Sequence, residues 1–214
     1  MTQNKYYAML GKILLHGKRQ SNKKGDIVYL LNERLHLTPC DLLEIFEGHS
    51  IARKKLRSEL TLFMAGERNL DRYRDAGINW WDYCGQILIN SYPTYFEKLP
   101  ALIGQINREK RNSKNYVLFL GSTGAETNQA PCLSLVQFQL EDGHLVLSAY
   151  QRSSDANLGL PSDIYHLYLI ARQIEAPLKS VTLNLGNVHI YANNIERTRE
   201  LLAGNNSVKF DLNV

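Results

Sequence analysis

The sequence predicts a single α+β domain, in which a mostly antiparallel or mixed β-sheet is backed by helices. The 214 residues are 44% hydrophobic and 21% charged, a balance typical of a globular domain with a sizeable core. Two alternating apolar runs, 133–140 and 144–151, flank Asp142-Gly143 and predict a β-hairpin. Apolar residues at helical spacing, for example within 3–16, 51–65 and 96–110, predict helices. No internal repeat or linker is visible, so we expect one domain over residues 1–214.

The first half of the chain is predicted to be mostly helical. Asn69 is a plausible helix N-cap, and Gly66 is a plausible helix stop. The polar and basic stretch after the first helix predicts a mobile loop. In chain order, the expected elements are a helix over 3–16, a loop over 18–25, short strands within 26–37, and helices over 51–65, 69–75 and 96–110.

The second half combines strands with two helices. Residues 164–174 are strongly apolar and follow Pro161, which predicts a buried helix. Short apolar runs elsewhere predict strands. In chain order, the expected elements are a strand at 116–120, a polar loop to residue 128, strands 133–140 and 144–151, helix 164–174, strands 181–185 and 188–191, and a helix over 194–202 that ends at Gly204.

The charge of the chain is unevenly distributed. The net charge is +4 and the pI is about 8.9. The basic clusters are either solvated helix ends and loops, or sites that attract phosphate on a small ligand or on nucleic acid. The clusters are Lys18, Arg19, Lys23 and Lys24; Arg53, Lys54, Lys55 and Arg57; and Arg108, Lys110, Arg111 and Lys114.

Hydropathy and cysteine content exclude several classes of protein. No apolar run approaches the roughly 20 residues of a membrane span, and the first residues show no signal-peptide pattern. Cys40, Cys84 and Cys132 are scattered and odd in number, which argues against a disulfide scaffold or a zinc-ribbon spacing. We therefore expect a cytoplasmic protein without a metal site.

Cys132 is the candidate nucleophile. If the register set by Asp142-Gly143 continues to the end of the hairpin, Cys132 pairs with Ser153 and lies one residue from Arg152. A guanidinium close to the thiol would favour the thiolate form. The alternative is an inert, buried cysteine.

Other polar residues are candidates for binding or proton transfer. Arg152-Ser153 offers a fork of donors and a hydroxyl that suit a phosphate monoester, or is an ordinary surface pair. Glu59 lies beside the apolar face of its helix and is either a boundary residue or a buried acid-base group. His189 and Tyr191 alternate on one strand and point to the same face, as a binding pair or a half-buried hydrogen-bonded pair.

Together these motifs resemble the thymidylate synthase superfamily, over roughly residues 50–205. The family's Pro-Cys and Gln-Phe pairs match 131–132 and 137–138, and its Tyr-Gln-Arg-Ser-x-Asp-x-x-Leu-Gly-x-Pro block runs unbroken over 150–161. Its His-x-Tyr-x-Asn block matches 189–193. Its glutamate-containing helix is similar to 57–66, with Trp81-Asp82 following it.

The resemblance implies one-carbon transfer to C5 of a pyrimidine nucleotide, with 5,10-methylenetetrahydrofolate as the donor. Cys132 would add to C6 of the base and make C5 nucleophilic, and Glu59 would manage protons through ordered water. The remaining assignments are Gln151, Arg152, Ser153, Tyr92, His189 and Tyr191 for the nucleotide, and Asp155, Trp81 and Gly159 for the folate.

One departure from the family pattern concerns recognition of the base. After Leu-Gly-x-Pro the synthases carry an aromatic residue and an asparagine, whereas this chain has Ser162 and Asp163. A protonated aspartic acid can donate to N3 of cytosine and accept from N4, the reverse of the pattern on uracil. Asp163 thus resembles the deoxycytidylate hydroxymethylases of bacteriophages. Alternatively, it caps a helix that starts near Ile164.

We therefore predict hydroxymethylation of dCMP at C5, which converts dCMP, methylenetetrahydrofolate and water to 5-hydroxymethyl-dCMP and tetrahydrofolate. A C5 methyltransferase acting on dCMP or dUMP is the nearer alternative. A non-catalytic homologue that binds nucleic acid or acts as a scaffold is the other, and the basic clusters would suit it.

The resemblance also implies a homodimer, in which two adjacent arginines of one subunit reach the phosphate of the other. The matching stretch 112–115 has no arginine pair, so Lys114 or Arg111 would replace it, and Arg19 would match an N-terminal phosphate arginine. The sequence ends at Val214, and a looser lid over the folate would admit water to the methylene intermediate. The setting implied is a bacterial or phage-infected cytoplasm.

Overall fold

The computed structural model describes residues 4–22, 25–121 and 130–212. Lys23, Lys24 and residues 122–129, which include most of the polar loop predicted to end at residue 128, lie outside these residues. The helices are α1 Lys5–His16, α2 Pro39–Gly48, α3 Arg53–Met64, α4 Leu70–Asp75, α5 Tyr92–Phe96, α6 Leu99–Glu109, α7 Gly159–Ala171 and α8 Ile195–Leu202. The strands are β1 Lys18–Asn22, β2 Gly25–Leu37, β3 Val117–Phe119, β4 Leu133–Glu141, β5 His144–Gln151, β6 Ser154–Asp155 and β7 Leu178–Tyr191.

The strands form one mixed sheet in the order β1-β2-β7-β5-β4-β3, and β6 pairs with the far end of β7. The strand β7 is parallel to β5 and β6, while the other neighbours are antiparallel. A parallel pair needs a crossover, and the helix α7 provides it between β6 and β7. The predicted α+β class with a mixed sheet and helices is confirmed.

The helix α7 is the central element of the core. It contacts both α2 and α3. Leu160, Ile164, Leu167 and Ile170 are all buried along it, as the apolar run predicts. Among the described residues, no helix combines the length and the hydropathy that a membrane crossing requires.

Prediction and structure differ at β1, β7 and α2. The predicted loop at 18–25 is largely the edge strand β1, whose fully exposed polar side chains give no apolar alternation to recognise. The predicted strands 181–185 and 188–191 are one strand, β7, which continues through Gly186. The helix α2 was not predicted, although Thr38 and Asp41 form a capping box at its start.

The β4–β5 hairpin is confirmed, but its register changes near Cys132. Asp142 and Gly143 adopt the positive φ values that a two-residue turn requires, 50° and 75°. A bulge between Leu133 and Leu135 then shifts the pairing. The backbone N–H of Arg152 donates to the carbonyl of Cys132 at 2.9 Å, so the sequence-based pairing with Ser153 was wrong by one residue.

Candidate active site

A cavity of about 360 Å³ opens where α3 and α7 meet the end of the β4–β5 hairpin. Its wall combines aromatic rings with three carboxyl groups and one thiol. Of the residues assigned from sequence, those lining it are Glu59, Trp81, Tyr92, Cys132, Asp155, Gly159, Asp163 and Tyr191. The helix α3 therefore faces the Cys132 segment across a common space, although the two are more than 60 residues apart in the sequence.

Glu59 is almost completely buried at the base of this cavity. The indole N–H groups of Trp80 and Trp81 both donate to Oε1 of Glu59, at 2.6 and 2.5 Å. Burial raises the pKa of Glu59 to about 7. The two indole hydrogen bonds lower this pKa, and the negative charge of Asp163 raises it. A carboxyl group with a pKa near neutrality can both accept and release a proton.

His166 of α7 lies beside Glu59 and was not singled out from the sequence. Its Nε2 is 3.0 Å from the carbonyl oxygen of Leu56 and 3.3 Å from Oε2 of Glu59. Burial lowers the pKa of His166 to about 4, so the ring is neutral at physiological pH. A carbonyl can only accept, so the Leu56 contact fixes the hydrogen on Nε2.

Asp163 shares the cavity with Glu59. The helix α7 begins at Gly159, which places Asp163 in its second turn, so the alternative that Asp163 caps this helix is wrong. The Gln151 side-chain amide donates to Oδ2 of Asp163 at 2.5 Å. Burial raises the pKa of Asp163 to about 7, although the hydrogen bonds from Gln151 and Tyr92 act to lower it.

Gln151 and Tyr92 tie Asp163 to the nucleophile segment. Ser154 donates its hydroxyl to Oε1 of Gln151 at 2.9 Å, which leaves the Gln151 amide nitrogen for Asp163. The Tyr92 hydroxyl accepts the backbone N–H of Leu133 at 3.3 Å and also bonds to Asp163. Gln151 is fully buried and lies behind the cavity wall, where it orients Asp163.

Cys132 lies half-buried in the cavity wall, at the start of β4. Arg152 fixes the segment before it: Nε donates to the carbonyl of Pro131 at 3.1 Å, and Nη2 donates to that of Ala130 at 2.7 Å. The remaining face of the guanidinium is exposed. Ser153 is half-buried and does not line the cavity.

Asp155, Trp81 and Gly159, the residues assigned to the folate, also line the cavity. Oδ1 of Asp155 accepts the backbone N–H of Asn157 at 2.9 Å, and burial raises the pKa of Asp155 to about 6. A Cβ added at Gly159 would meet only the Cβ of Asp155, at 3.8 Å, and would otherwise fill the cavity. Aromatic side chains in the wall, the space beside Gly159 and one carboxyl group suit a fused ring with N–H groups at one edge.

Besides Gln151 and Ser153, four residues assigned from the sequence lie outside the cavity wall. His189 is buried behind it, with Nδ1 2.9 Å from Oδ1 of Asn187 and the ring edge-on to Tyr191, and burial lowers the pKa of His189 to about 4. The side chain of Arg152 contacts the wall through the backbone carbonyls of residues 130 and 131. Arg19 is on the exposed edge strand β1, and Lys114 follows α6.

The cavity also contains residues that the sequence reasoning missed. Trp80 and His166 surround Glu59, Tyr83 lies near Cys132, and the buried His49 also lines the cavity. None belongs to the motifs quoted above. Trp80 precedes the Trp81-Asp82 pair, and that adjacency is the one sequence signal that could have pointed to it.

The buried carboxyl of Glu59 lowers stability at alkaline pH. Its folded-state pKa of about 7 lies above its ordinary value of 4.5, so the stability associated with the protonated form is lost as pH rises between these values. The unfolding free energy of Glu59→Gln relative to that of the wild type should therefore increase by about 3 kcal/mol from pH 4 to pH 8. Urea unfolding at both pH values measures this, and a pH-independent difference would contradict it.

A comparison with known protein families agrees with this geometry. The family model described as thymidylate synthase matches residues 4–213, nearly the whole chain.

Proposed function

Because this chain belongs to the thymidylate synthase family, we propose that it is a dCMP hydroxymethylase. The family carries out folate-dependent one-carbon transfer to C5 of pyrimidine nucleoside monophosphates. The observation that supports cytosine as the base is Asp163: an acid with a raised pKa lies in the cavity, held by Gln151 and Tyr92. The one-carbon transferase activity is common to the family, and the choice of base and product is the proposal.

A neutral Asp163 has the hydrogen-bonding pattern that cytosine requires. Its O–H donates to N3 and its carbonyl oxygen accepts from the N4 amino group. Uracil offers the opposite pattern, an N3–H donor and an O4 acceptor. An ionised Asp163 therefore leaves O4 without a donor, and a neutral Asp163 matches uracil only with its proton on the other oxygen. A site built for a particular hydrogen-bonding pattern rejects the wrong partner strongly, because buried polar groups are then left unsatisfied.

The same acid assists the covalent step. The thiolate of Cys132 forms a bond to C6, and the C5=C6 electron pair moves through C4 onto N3 as the ring is activated. The proton of Asp163 neutralises the charge that develops on N3. C5 is then the nucleophilic carbon of an enamine, and elimination of Cys132 at the end of the reaction restores the ring.

Glu59 is the proposed base for the later proton transfers. It removes the C5 proton through a water molecule, and then activates the water that becomes the hydroxyl group of the product. The methyl alternative would need hydride transfer in place of this water. Trp80, Trp81 and His166 hold the Glu59 carboxyl group at a fixed place in the cavity wall.

Methylenetetrahydrofolate, when bound, supplies a carbon at the oxidation level of formaldehyde. The residues present fit its ring system, because Trp80, Trp81 and Leu158 offer flat or apolar surface and Gly159 leaves room for a ring. The Asp155 carboxyl group is suited to accept hydrogen bonds from the N–H groups of a pterin edge.

A second copy of the chain is the proposed source of further phosphate-binding cations. Within the described part of the chain, no lysine or arginine lines the cavity, and Arg152 presents only its exposed face nearby. The sheet face opposite the helices carries Phe119 and Tyr150, 68% and 43% exposed, which flank Leu135 in the strand register.

Lys114 lies at the border of that sheet face, since its carbonyl accepts the side-chain amide of Gln137 at 3.1 Å. A homodimer built on this face would cover the exposed aromatic rings and bring Lys114 towards the other cavity. Sedimentation measures this association. A protein that stays monomeric at working concentration would refute the dimer.

Product analysis tests the proposed activity. The protein is incubated with methylenetetrahydrofolate and either dCMP or dUMP, and the nucleotide mass and dihydrofolate absorbance are recorded. We expect hydroxymethyl-dCMP without dihydrofolate. A methyl product with dihydrofolate would support the methyltransferase alternative, and product from dUMP alone would reject the base assignment. Deoxycytidine in place of dCMP reports the contribution of the phosphate.

A further inference from the structure

Glu59 and Asp163 are two buried acids that act on each other in one cavity. Burial is the main cause that raises the pKa of each to about 7, and for Glu59 the charge on Asp163 contributes to this rise. Two interacting acids release their protons as a pair, so near neutral pH the pair holds about one proton. The mechanism above requires that proton on Asp163 and a negative charge on Glu59.

We propose that Trp80 and Trp81 assign this shared proton to Asp163, by donating two indole N–H groups to one oxygen of Glu59. The catalytic consequence of this assignment rests on the proposed function. Both indole nitrogens lie within 2.6 Å of Oε1. An indole N–H can donate but never accept, so a hydrogen placed on Oε1 would have no acceptor on that side.

The other oxygen of Glu59 is also poorly placed to hold the proton. Oε2 lies 3.3 Å from Nε2 of His166, whose hydrogen is fixed by the carbonyl of Leu56. The positive end of that N–H dipole therefore lies beside Oε2 and favours a negative charge there. Three N–H groups thus surround a carboxyl group that has no acceptor among these neighbours.

Asp163 tolerates a proton better. The Gln151 amide is a fixed donor to Oδ2, because Ser154 occupies the oxygen of the same amide. The second partner, Tyr92, is a hydroxyl group, which can accept from a protonated carboxyl as well as donate to an ionised one. Asp163 therefore has one fixed donor against the three that surround Glu59.

The neighbouring histidine and tyrosines do not compete for this proton near neutral pH. Those that act on the pair from the described elements are His166, Tyr73 and Tyr92, together with the Cys132 thiol near Tyr92. Burial keeps His166 neutral, and it raises the pKa of both tyrosines. Arg57, on the same helix as Glu59, is turned to the Tyr165 hydroxyl at 3.2 Å.

The direct test is a carboxyl titration of the ligand-free protein by NMR, with ¹³C-labelled aspartate and glutamate side chains. At pH 7 we expect the wild type to show Asp163 protonated and Glu59 ionised. Trp80→Phe keeps an aromatic ring and removes one N–H, and we expect the Asp163-to-Glu59 protonation ratio to fall about tenfold. Trp81→Phe should act in the same direction.

Kinetics separate this positioning role from a merely structural one. In Trp80→Phe, a tenfold fall from a ratio of about ten to one lowers the productively protonated fraction, and with it kcat/KM for dCMP at pH 7, about twofold. The alkaline limb of the pH profile should move upward by up to about one unit. A structural defect would lower the profile without moving the limb. Lys55→Ala is the matched control, because Lys55 lies 5.9 Å from the Trp80 ring centre and carries no donor to Glu59.

The titration of the wild type decides the assignment even if a variant fails to fold. A protonated Glu59 beside an ionised Asp163 would overturn the inference, as would an unchanged titration in both tryptophan variants. The proposed function fails separately, if the wild type transfers the one-carbon unit to dUMP in preference to dCMP.

Discussion

Cys132→Ala is expected to abolish turnover, with a loss in kcat of about four orders of magnitude or more. Without the sulfur no bond forms at C6, and C5 of a pyrimidine is then too poor a nucleophile to attack a carbon donor. The structure places this residue in the cavity that also contains Glu59 and Asp163. The loss should therefore affect every pyrimidine nucleotide equally.

Product formation and protein mass together measure this effect. With 5-fluoro-dCMP and methylenetetrahydrofolate, the wild type should gain the mass of both molecules at Cys132. C5 bonds to the methylene carbon, and the reaction stops there because fluorine cannot leave C5 as a proton does. Cys40→Ala is the matched control, since Cys40 is exposed on α2. An unmodified wild-type Cys132, or an adduct that persists in Cys132→Ala, would rule out the proposed nucleophile.

Asp163→Asn is expected to reverse the base preference, by changing the ratio of kcat/KM for dCMP and dUMP by about three orders of magnitude. The amide of asparagine can donate to O4 and accept from N3–H of uracil, and it cannot supply a proton to N3 of cytosine. Gln151 would still orient the new side chain, because its amide N–H can donate to the asparagine oxygen.

Parallel measurements of kcat/KM for the two nucleotides give this ratio. Asp75→Asn makes the same chemical change on the exposed end of α4 and should leave the ratio unaltered. If Asp163→Asn loses activity on both bases without a change in preference, Asp163 does not read the base. Its role would then be limited to supporting the fold or the covalent step.

Much of the fold was predictable because it is encoded by short segments. The Asp142-Gly143 turn sets the β4–β5 hairpin through its own backbone angles, and the apolar run of α7 gives a buried helix. Asn69 caps α4 through a bond to the N–H of Asp71 at 3.0 Å, as its sequence position indicates. Each of these features depends on residues within a few positions of each other.

Other features required the assembled sheet. The bulge near Leu135 shifts Cys132 by one position, and no local residue pattern announced it. The edge strand β1 exists because β2 offers it hydrogen bonds, since none of its side chains is buried. Pairing between strands can override a weak local pattern in this way.

The sequence alone determined which reactive groups this protein carries, and their order matched a family of known chemistry. Only the tertiary structure decided the protonation environment of those groups. Trp80 and His166 reach Glu59 from segments 21 and more than 100 residues away, and burial raises the pKa of both Glu59 and Asp163 towards neutrality. The proton affinity of a carboxyl group depends on its surrounding donors, charges and solvent, and these are fixed only when distant segments pack together.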